Sequence, residues 1–420
     1  VASLAARLAA VRGGYAPQSI FDRMKYPMWV VPAASLMDMT EAKPHQTLRA
    51  LGLLACVDSL SGDVIFISHQ WCAFKHPDPR FVQLGLLQGV LRQAAAGTLR
   101  FKEDAFSKII YGVGKGCTLK AKDREALLKC SVWYDYFSVP QPEAPMAESD
   151  QHTDLKSGMG QAIASLQHYI AVSRYFIVLA PVVKHTDKAG VFLDYVSWKD
   201  RGWCRLERMA RVLSPLHTSI LLASREDVLF EVGAQDYLLD PVCEGTFTVD
   251  ADRHTLGEIV MELVTDRQQR LLQLGEVEQY RLLTATAGGL LRGAKVSPAA
   301  SDTDVVAKFV QCTCGQAVET TEFVGTYGYD SAAMPPEVLP PLLMAALAGN
   351  HKAVAGLLDQ KASILERNRR GMPEFLIDQG MNALHVAAKF GHVQVVEELL
   401  ARGVDPDARA REWFGKSPVH

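Results

Sequence analysis

Four short runs of aliphatic, aromatic and β-branched residues constrain this chain most. They are Asp63-Val64-Ile65-Phe66-Ile67-Ser68, Ser131-Val132-Trp133-Tyr134-Asp135-Tyr136-Phe137, Tyr175-Phe176-Ile177-Val178-Leu179 and Ser219-Ile220-Leu221-Leu222-Ala223. Each is too short for a helix and is bounded by residues that break regular structure, such as Ser61-Gly62, Pro140, Pro142 and Pro181; each therefore predicts a strand. Helical spacings lie between them. Phe81 to Ala96 carries Leu84, Leu87 and Leu91, and Gly158 to Ser173 carries Ile163, Leu166 and Ile170. A further helix is predicted over Trp203 to Leu213. Strands that are apolar throughout and alternate with helices predict an α/β domain over 61–225, a parallel sheet with helices on both faces. In such sheets ligands bind beyond the carboxyl ends of the strands. Ser68, His69, Asp135 and the loop before Trp203 are expected to gather there.

The flanks are read as follows. Residues 1–60 predict a helical and loop extension, with helical patterns at Ala2 to Arg12 and near Leu48 to Val57. Residues 97 to 130 are charged and irregular, as an insertion would be. Residues 226–335 predict a mainly helical connection ending in a Ser-, Pro- and Ala-rich linker around 293 to 304. The chain starts at Val1 rather than Met and stops at His420, which suggests a piece of something longer.

The last eighty residues repeat. Pro341-Leu342-Leu343-Met344-Ala345-Ala346-Leu347-Ala348-Gly349-Asn350-His351 returns 42 residues later as Ala383-Leu384-His385-Val386-Ala387-Ala388-Lys389-Phe390-Gly391-His392. Leu357-Leu358 likewise returns as Leu399-Leu400. The pattern resembles the ankyrin repeat, whose period is about 33 residues; an insertion around Arg369 to Asp378 accounts for the excess. Ser417-Pro418-Val419-His420 reads as the start of a further unit. The resemblance implies a C-terminal α-solenoid over 336–420 that binds a protein partner. Such repeats bury a core only by stacking.

The four strand runs carry a second resemblance, over about two fifths of the chain. Val64-Ile65-Phe66-Ile67-Ser68-His69, then Val132-Trp133-Tyr134-Asp135, then Gly158-Met159-Gly160-Gln161-Ala162-Ile163 with Ser173 through Pro181, then Trp203-Cys204-Arg205-Leu206-Glu207 follow the motif order of the Toll/interleukin-receptor-type (TIR) domain. The sequence resembles a divergent member. The resemblance implies a flavodoxin-like sheet, self-association and, in enzymatic members, cleavage of the nicotinamide–ribose bond of NAD. NAD is then a substrate, and no cofactor is expected. The glutamate of the W-C-x-x-E motif is the essential residue in those members, here Glu207. Glycosidic cleavage develops positive charge on the ribose. A carboxylate stabilises that charge, and neutral nicotinamide leaves without needing an acid. On this reading Ser68, His69, Trp71, Asp135, Gly158 and Trp203 line the substrate cleft. Three departures from the family stand out: the long 97–130 segment, the long Pro140 to Ser157 loop, and His69-Gln70-Trp71 in place of an aromatic-basic pattern.

Each of these residues also has a plain structural role open to it. A glutamate in a helix's first turn is favoured by the helix dipole. Trp203 suits a core, His69 a satisfied strand end, and Asp135 a loop cap. The alternative to an enzyme is therefore a non-catalytic TIR-like and ankyrin scaffold. The two differ in whether Glu207 faces an open cleft.

Other chemistries are excluded or weak. The net charge is −3, which gives no electrostatic case for nucleic acid, and the basic Arg367 to Arg370 cluster reads as a solvated turn. No apolar run reaches the roughly 20 residues needed to span a membrane. Eight cysteines in 420 residues do not make a disulfide framework and fit a cytoplasmic setting. Cys312-Thr313-Cys314 has no zinc spacing, so no metal is expected. Gly112-Val113-Gly114-Lys115-Gly116 lacks the Ser or Thr that a P-loop needs. Cys72 and Cys204 lack an orienting third group and read as buried thiols.

Overall fold

The computed structural model of the chain describes residues 4, 20–57, 63–105, 117–142, 157–215, 219–294, 317–329 and 339–410. The glycine cluster at 112–116, the cysteine pair at 312–314, most of the Ala2 to Arg12 helix and the unit starting near 415 lie outside them. The chain divides into two compact units. One comprises 17–234 with 242–259, the other 1–16, 235–241 and 260–420.

The first unit is α/β. In chain order its strands are β1 (Met28–Pro32), β2 (Ala55–Val57), β3 (Val64–His69), β4 (Arg100–Glu103), β5 (Ser131–Trp133), β6 (Tyr175–Leu179), β7 (Val183–Lys184), β8 (Phe192–Leu193), β9 (Ile220–Arg225) and β10 (Val228–Val232). Its helices are α1 (Ala33–Met37), α2 (His45–Ala50), α3 (Val82–Ala95), α4 (Ala121–Lys129), α5 (Asp135–Ser138), α6 (Gly158–Ile163), α7 (Leu166–Val172), α8 (Tyr195–Asp200) and α9 (Gly202–Leu213). One sheet of eight strands runs β2-β1-β5-β3-β6-β9-β10-β4. Its centre is the four expected strands, β5-β3-β6-β9, all parallel.

The sheet as a whole is mixed, which corrects the expectation of a purely parallel one. β1 pairs antiparallel with β5 and β2, and β10 folds back antiparallel on β9. Four segments read from sequence as helix, loop, insertion or helical connection thus supply strands: 28–32, 55–57, 100–103 and 228–232. The reason is physical. An edge strand buries only part of its surface and needs no continuous apolar run, so β4, Arg100-Phe101-Lys102-Glu103, has no strand signature. Likewise the second predicted strand ends at Trp133, and Asp135 already opens the short α5. The Gly158 to Ser173 helix breaks into α6 and α7.

Period-two alternation sorts the side chains of β3. Ile65 and Ile67 belong to a core with Leu84, Leu87 and Leu91 of α3. Phe66 and Ser68 point to the opposite face. There Phe66 stacks on Trp133, with ring centres 4.3 Å apart, and on Phe176 at 5.4 Å. The helices α7 and α9 cover that face: Tyr169 of α7 meets Trp133, and the buried Arg211 of α9 lies over Phe176. The Arg211 guanidinium also donates to the carbonyls of Ile170 at 3.2 Å and Ser173 at 2.8 Å. It thereby ties α9 to the end of α7.

The start of α9 depends on a close backbone approach. A Cβ on buried Gly245 would stand 2.8 Å from the backbone N and Cα of Gly202 and 3.0 Å from the Asp200 carbonyl oxygen. Gly245→Ala is expected to lower stability by about 1–3 kcal/mol through overpacking. A urea midpoint equal to that of the parent chain would rule this out.

The second unit is helical. α10 (Asp252–Leu274) leads into it, followed by α11 (Val277–Leu290), α12 (Thr320–Tyr327), α13 (Pro341–Leu347), α14 (His351–Asp359), α15 (Ala383–Lys389) and α16 (Val393–Ala401). The turns joining α13 to α14 and α15 to α16 pass through Gly349 and Gly391 at φ +67° and +73°, where a Cβ is disfavoured. Turns this short make each pair antiparallel. The side chains of Asn350 and Asn382 accept from the amides of Ala353 and His385 at 3.1 and 3.0 Å, capping the helices that follow. The helices stack in two rows, α11-α13-α15 and α12-α14-α16.

Candidate functional site

Parallel strands place β3, β5, β6 and β9 with their carboxyl ends at one edge. The chain order of these four across the sheet is second, first, third, fourth, so the connections reverse direction beside β3. Reversal points of this kind open a crevice in α/β sheets. Ser68 and His69 end β3, and Asp135 follows β5 after one residue. Glu207 reaches the same edge from α9.

The first contact there joins strand to helix. The hydroxyl of fully buried Ser68 donates to Glu207 Oε2. The indole Nε1 of Trp198, also fully buried, donates to Ser68 Oγ at 2.9 Å. Beside this pair, His69 Nε2 meets Asp135 Oδ1 at 2.9 Å, and Trp71 Nε1 donates to Asp135 Oδ2 at 2.7 Å. The amide of Tyr136 adds a third bond to the same carboxylate at 2.6 Å. His69 Nδ1 faces the Gln70 carbonyl at 3.3 Å, and its ring stacks on Tyr134 at 4.1 Å.

These surroundings push the titrating groups in opposite directions. Burial raises the Glu207 carboxyl to about 8, against weaker opposing effects from the Ser68 hydroxyl and His69; the Asp135 charge raises it further. Burial alone would lower His69, but the Asp135 charge and hydrogen bond, with Glu207, leave it raised. For Asp135, burial is outweighed by His69, Trp71 and the Tyr136 amide, and the pKa falls. His69 and Asp135 thus favour each other's charged forms, beside a carboxyl group that keeps its proton at neutral pH. Such a group can gain a charge when a cation arrives, or surrender its proton to a base.

The structure thus gathers Glu207, Ser68, His69, Trp71 and Asp135. It places two other candidates differently. Trp203 turns its Nε1 to Asp252 Oδ2 at 2.8 Å. Gly158 sits where a Cβ would touch Tyr26 at 3.3 Å and Pro140 at 3.4 Å, so its bareness serves packing there. Glu207 is also not in the first turn of its helix, which begins at Gly202. The dipole argument for an acidic residue does not apply to it. Trp198, to which the sequence assigned no role, is the residue that reasoning missed. Only its burial and its reach to Ser68 mark it, and neither shows in the order of residues.

Burial raises the Cys72 thiol to about 11 and that of Cys204 well above its ordinary value, so neither is poised as a nucleophile. Among the described residues no group of three or more His, Cys, Asp or Glu side chains is placed to hold a metal ion, and no helix is long and apolar enough to cross a membrane. Two cavities lie away from Glu207. One of about 530 Å³ is bounded by Phe81, Gln88, Arg92, Pro181 and Arg225. The other, about 240 Å³, lies within the helical unit between Thr286, Arg292, Leu347 and Phe390.

The arrangement defines a protein that joins an α/β unit with a polar cluster at its strand ends to a stacked helical-repeat unit. A family model for ankyrin repeats, in three copies, matches residues 316–410. The repeats therefore begin before 336, the boundary read from sequence: α12 belongs to the stack, ahead of the pair α13–α14. Ankyrin repeats imply binding of a protein partner. Neither a comparison with curated proteins nor one with solved structures finds a match.

Proposed function

We propose that the α/β unit is a divergent TIR-like domain that cleaves the nicotinamide–ribose bond of NAD when it self-associates, and that the ankyrin repeats bind the protein partner governing that assembly. The observation that carries this reading is the Ser68–Glu207 hydrogen bond at the carboxyl end of β3. It holds one carboxyl group at the point where such sheets bind ligands. NAD brings its own positive charge on the pyridinium ring. A cation beside Glu207 favours the ionised carboxyl, so substrate binding itself supplies the carboxylate that stabilises the oxocarbenium-like transition state.

The test is nicotinamide release from NAD by the purified chain, concentrated or held on beads to force assembly. Release is expected from the parent, and a loss of at least about a hundredfold from Glu207→Ala, the scale set by removing one electrostatic stabiliser. Equal release from both proteins would sink the assignment of Glu207.

One observation favours a second reading, a non-catalytic scaffold. Ser68 and Trp198 are fully buried, and the two cavities described lie elsewhere. On that reading the cluster is a polar lock holding α9 on β3. A folded, assembled sample that releases no nicotinamide would support it.

A further inference from the structure

We infer that Trp198 is a positioning residue for Glu207: its indole N–H fixes the Ser68 hydroxyl so that the serine proton is aimed at the carboxylate. The argument is one of donors and acceptors. An indole nitrogen only donates, whereas a serine hydroxyl has one proton and two lone pairs. With Trp198 Nε1 2.9 Å from Ser68 Oγ, one lone pair is taken and the hydroxyl cannot turn its proton that way. The remaining partner is Glu207 Oε2. The tryptophan is itself held. It is fully buried, and the Tyr195 ring stacks on it at 5.5 Å with 13° between planes. The capped start of α8 is pinned from outside as well: Gln70 Nε2 donates to the Asp194 carbonyl and the Ser197 hydroxyl, both at 3.0 Å. Trp198 therefore transmits the position of α8 to the ionisation of a side chain on α9.

The relay makes a prediction that simple packing does not. A hydrogen bond aimed at the charged form stabilises it. Without the indole donor the hydroxyl rotates, and the carboxylate loses part of that support. The other charges facing Glu207, His69 from β3 and Asp135 beyond β5, stay in place. Carbon-13 NMR of glutamate carboxyl groups reads the Glu207 titration directly, in the absence of NAD. Trp198→Phe keeps the stacked ring and removes the donor. Its Glu207 midpoint is expected to rise by about one pH unit, since hydrogen bonds to charged groups are worth roughly 1.5–3 kcal/mol and one unit corresponds to about 1.4. Ser68→Ala should move it the same way, and adding Trp198→Phe to it should move it no further. An unchanged midpoint in Trp198→Phe beside a shifted one in Ser68→Ala overturns the inference.

If Trp198→Phe does not fold, the unmutated chain still decides. The Trp198 indole N–H resonance should follow the Glu207 titration and lose that step in Glu207→Gln. An indole signal that stays flat across the transition overturns the inference equally. The inference deepens the proposed role of Glu207. Both readouts are taken without substrate, so a chain that never cleaves NAD can still pass or fail them.

Discussion

Replacing Glu207 by glutamine is expected to stabilise the chain at pH 8 by about 2–4 kcal/mol and to leave it nearly unchanged at pH 4.5. The sign follows from the two states. Unfolded, the glutamate titrates near 4.5; folded, it titrates near 8 because burial disfavours its charge. Below pH 4.5 both states hold the proton and folding is indifferent to it. Between the two values the unfolded chain releases a proton that the folded chain keeps, so stability falls as pH rises. Above 8 the loss is complete. Glutamine imitates the protonated acid and still accepts from Ser68, so it escapes this loss. The His69–Asp135 pair is present in both proteins; only the smaller Glu207 contribution to His69 is lost with the charge. Urea midpoints at pH 5 and pH 8 measure it. A parent–variant gap that does not widen with pH would show that Glu207 is better solvated than its position indicates. A residue that lowers stability at working pH is what functional sites tend to contain.

The second large effect is expected at Phe66. Phe66→Ala should cost about 3–5 kcal/mol, the range for a buried phenylalanine whose site cannot close. The ring is fully buried and sandwiched between Trp133 and Phe176, one from each neighbouring strand. Its removal leaves two large aromatic faces without a partner. Phe66→Leu refills much of the volume and should cost clearly less. Chemical denaturation of the three proteins tests the ranking, and a loss below 1 kcal/mol in Phe66→Ala would refute it. Ser68 lies two residues on and on the same face, so the alanine variant is also expected to loosen the hold of β3 on Glu207.

The central sheet was legible because buried parallel strands must be apolar on both faces. Val64 to Ser68, Tyr175 to Leu179 and Ile220 to Ala223 announce themselves without any partner being known. The edge strands were not legible. Ala55–Val57 and Arg100–Glu103 are strands only because β1 and β10 offer them hydrogen bonds, and pairing of that kind has no local signature. The repeats were legible from the recurrence of Pro341 to His351 at Ala383 to His392. Their beginning was not, because α12 departs from the pattern and is recognisable by what it stacks on.

For the candidate site, residue types and motif order already singled out Ser68, His69, Trp71, Asp135 and Glu207. Alternation along β3 sends Phe66 and Ser68 to one face and Ile65 and Ile67 to the other; that much the sequence determines by itself, because the period of a strand is two whatever surrounds it. Which helix covers each face, which tryptophan reaches Ser68, and how far Glu207 is withdrawn from water were decided only by the tertiary structure. On paper the motif favours Trp203 over Trp198. Trp198 ends on Ser68 and Trp203 on Asp252 because the chain turns at Arg201–Gly202, against Gly245, and enters α9 on a new axis. Burial and pairing depend on distances between segments far apart in the chain, and those distances exist only once the sheet and its helices have packed.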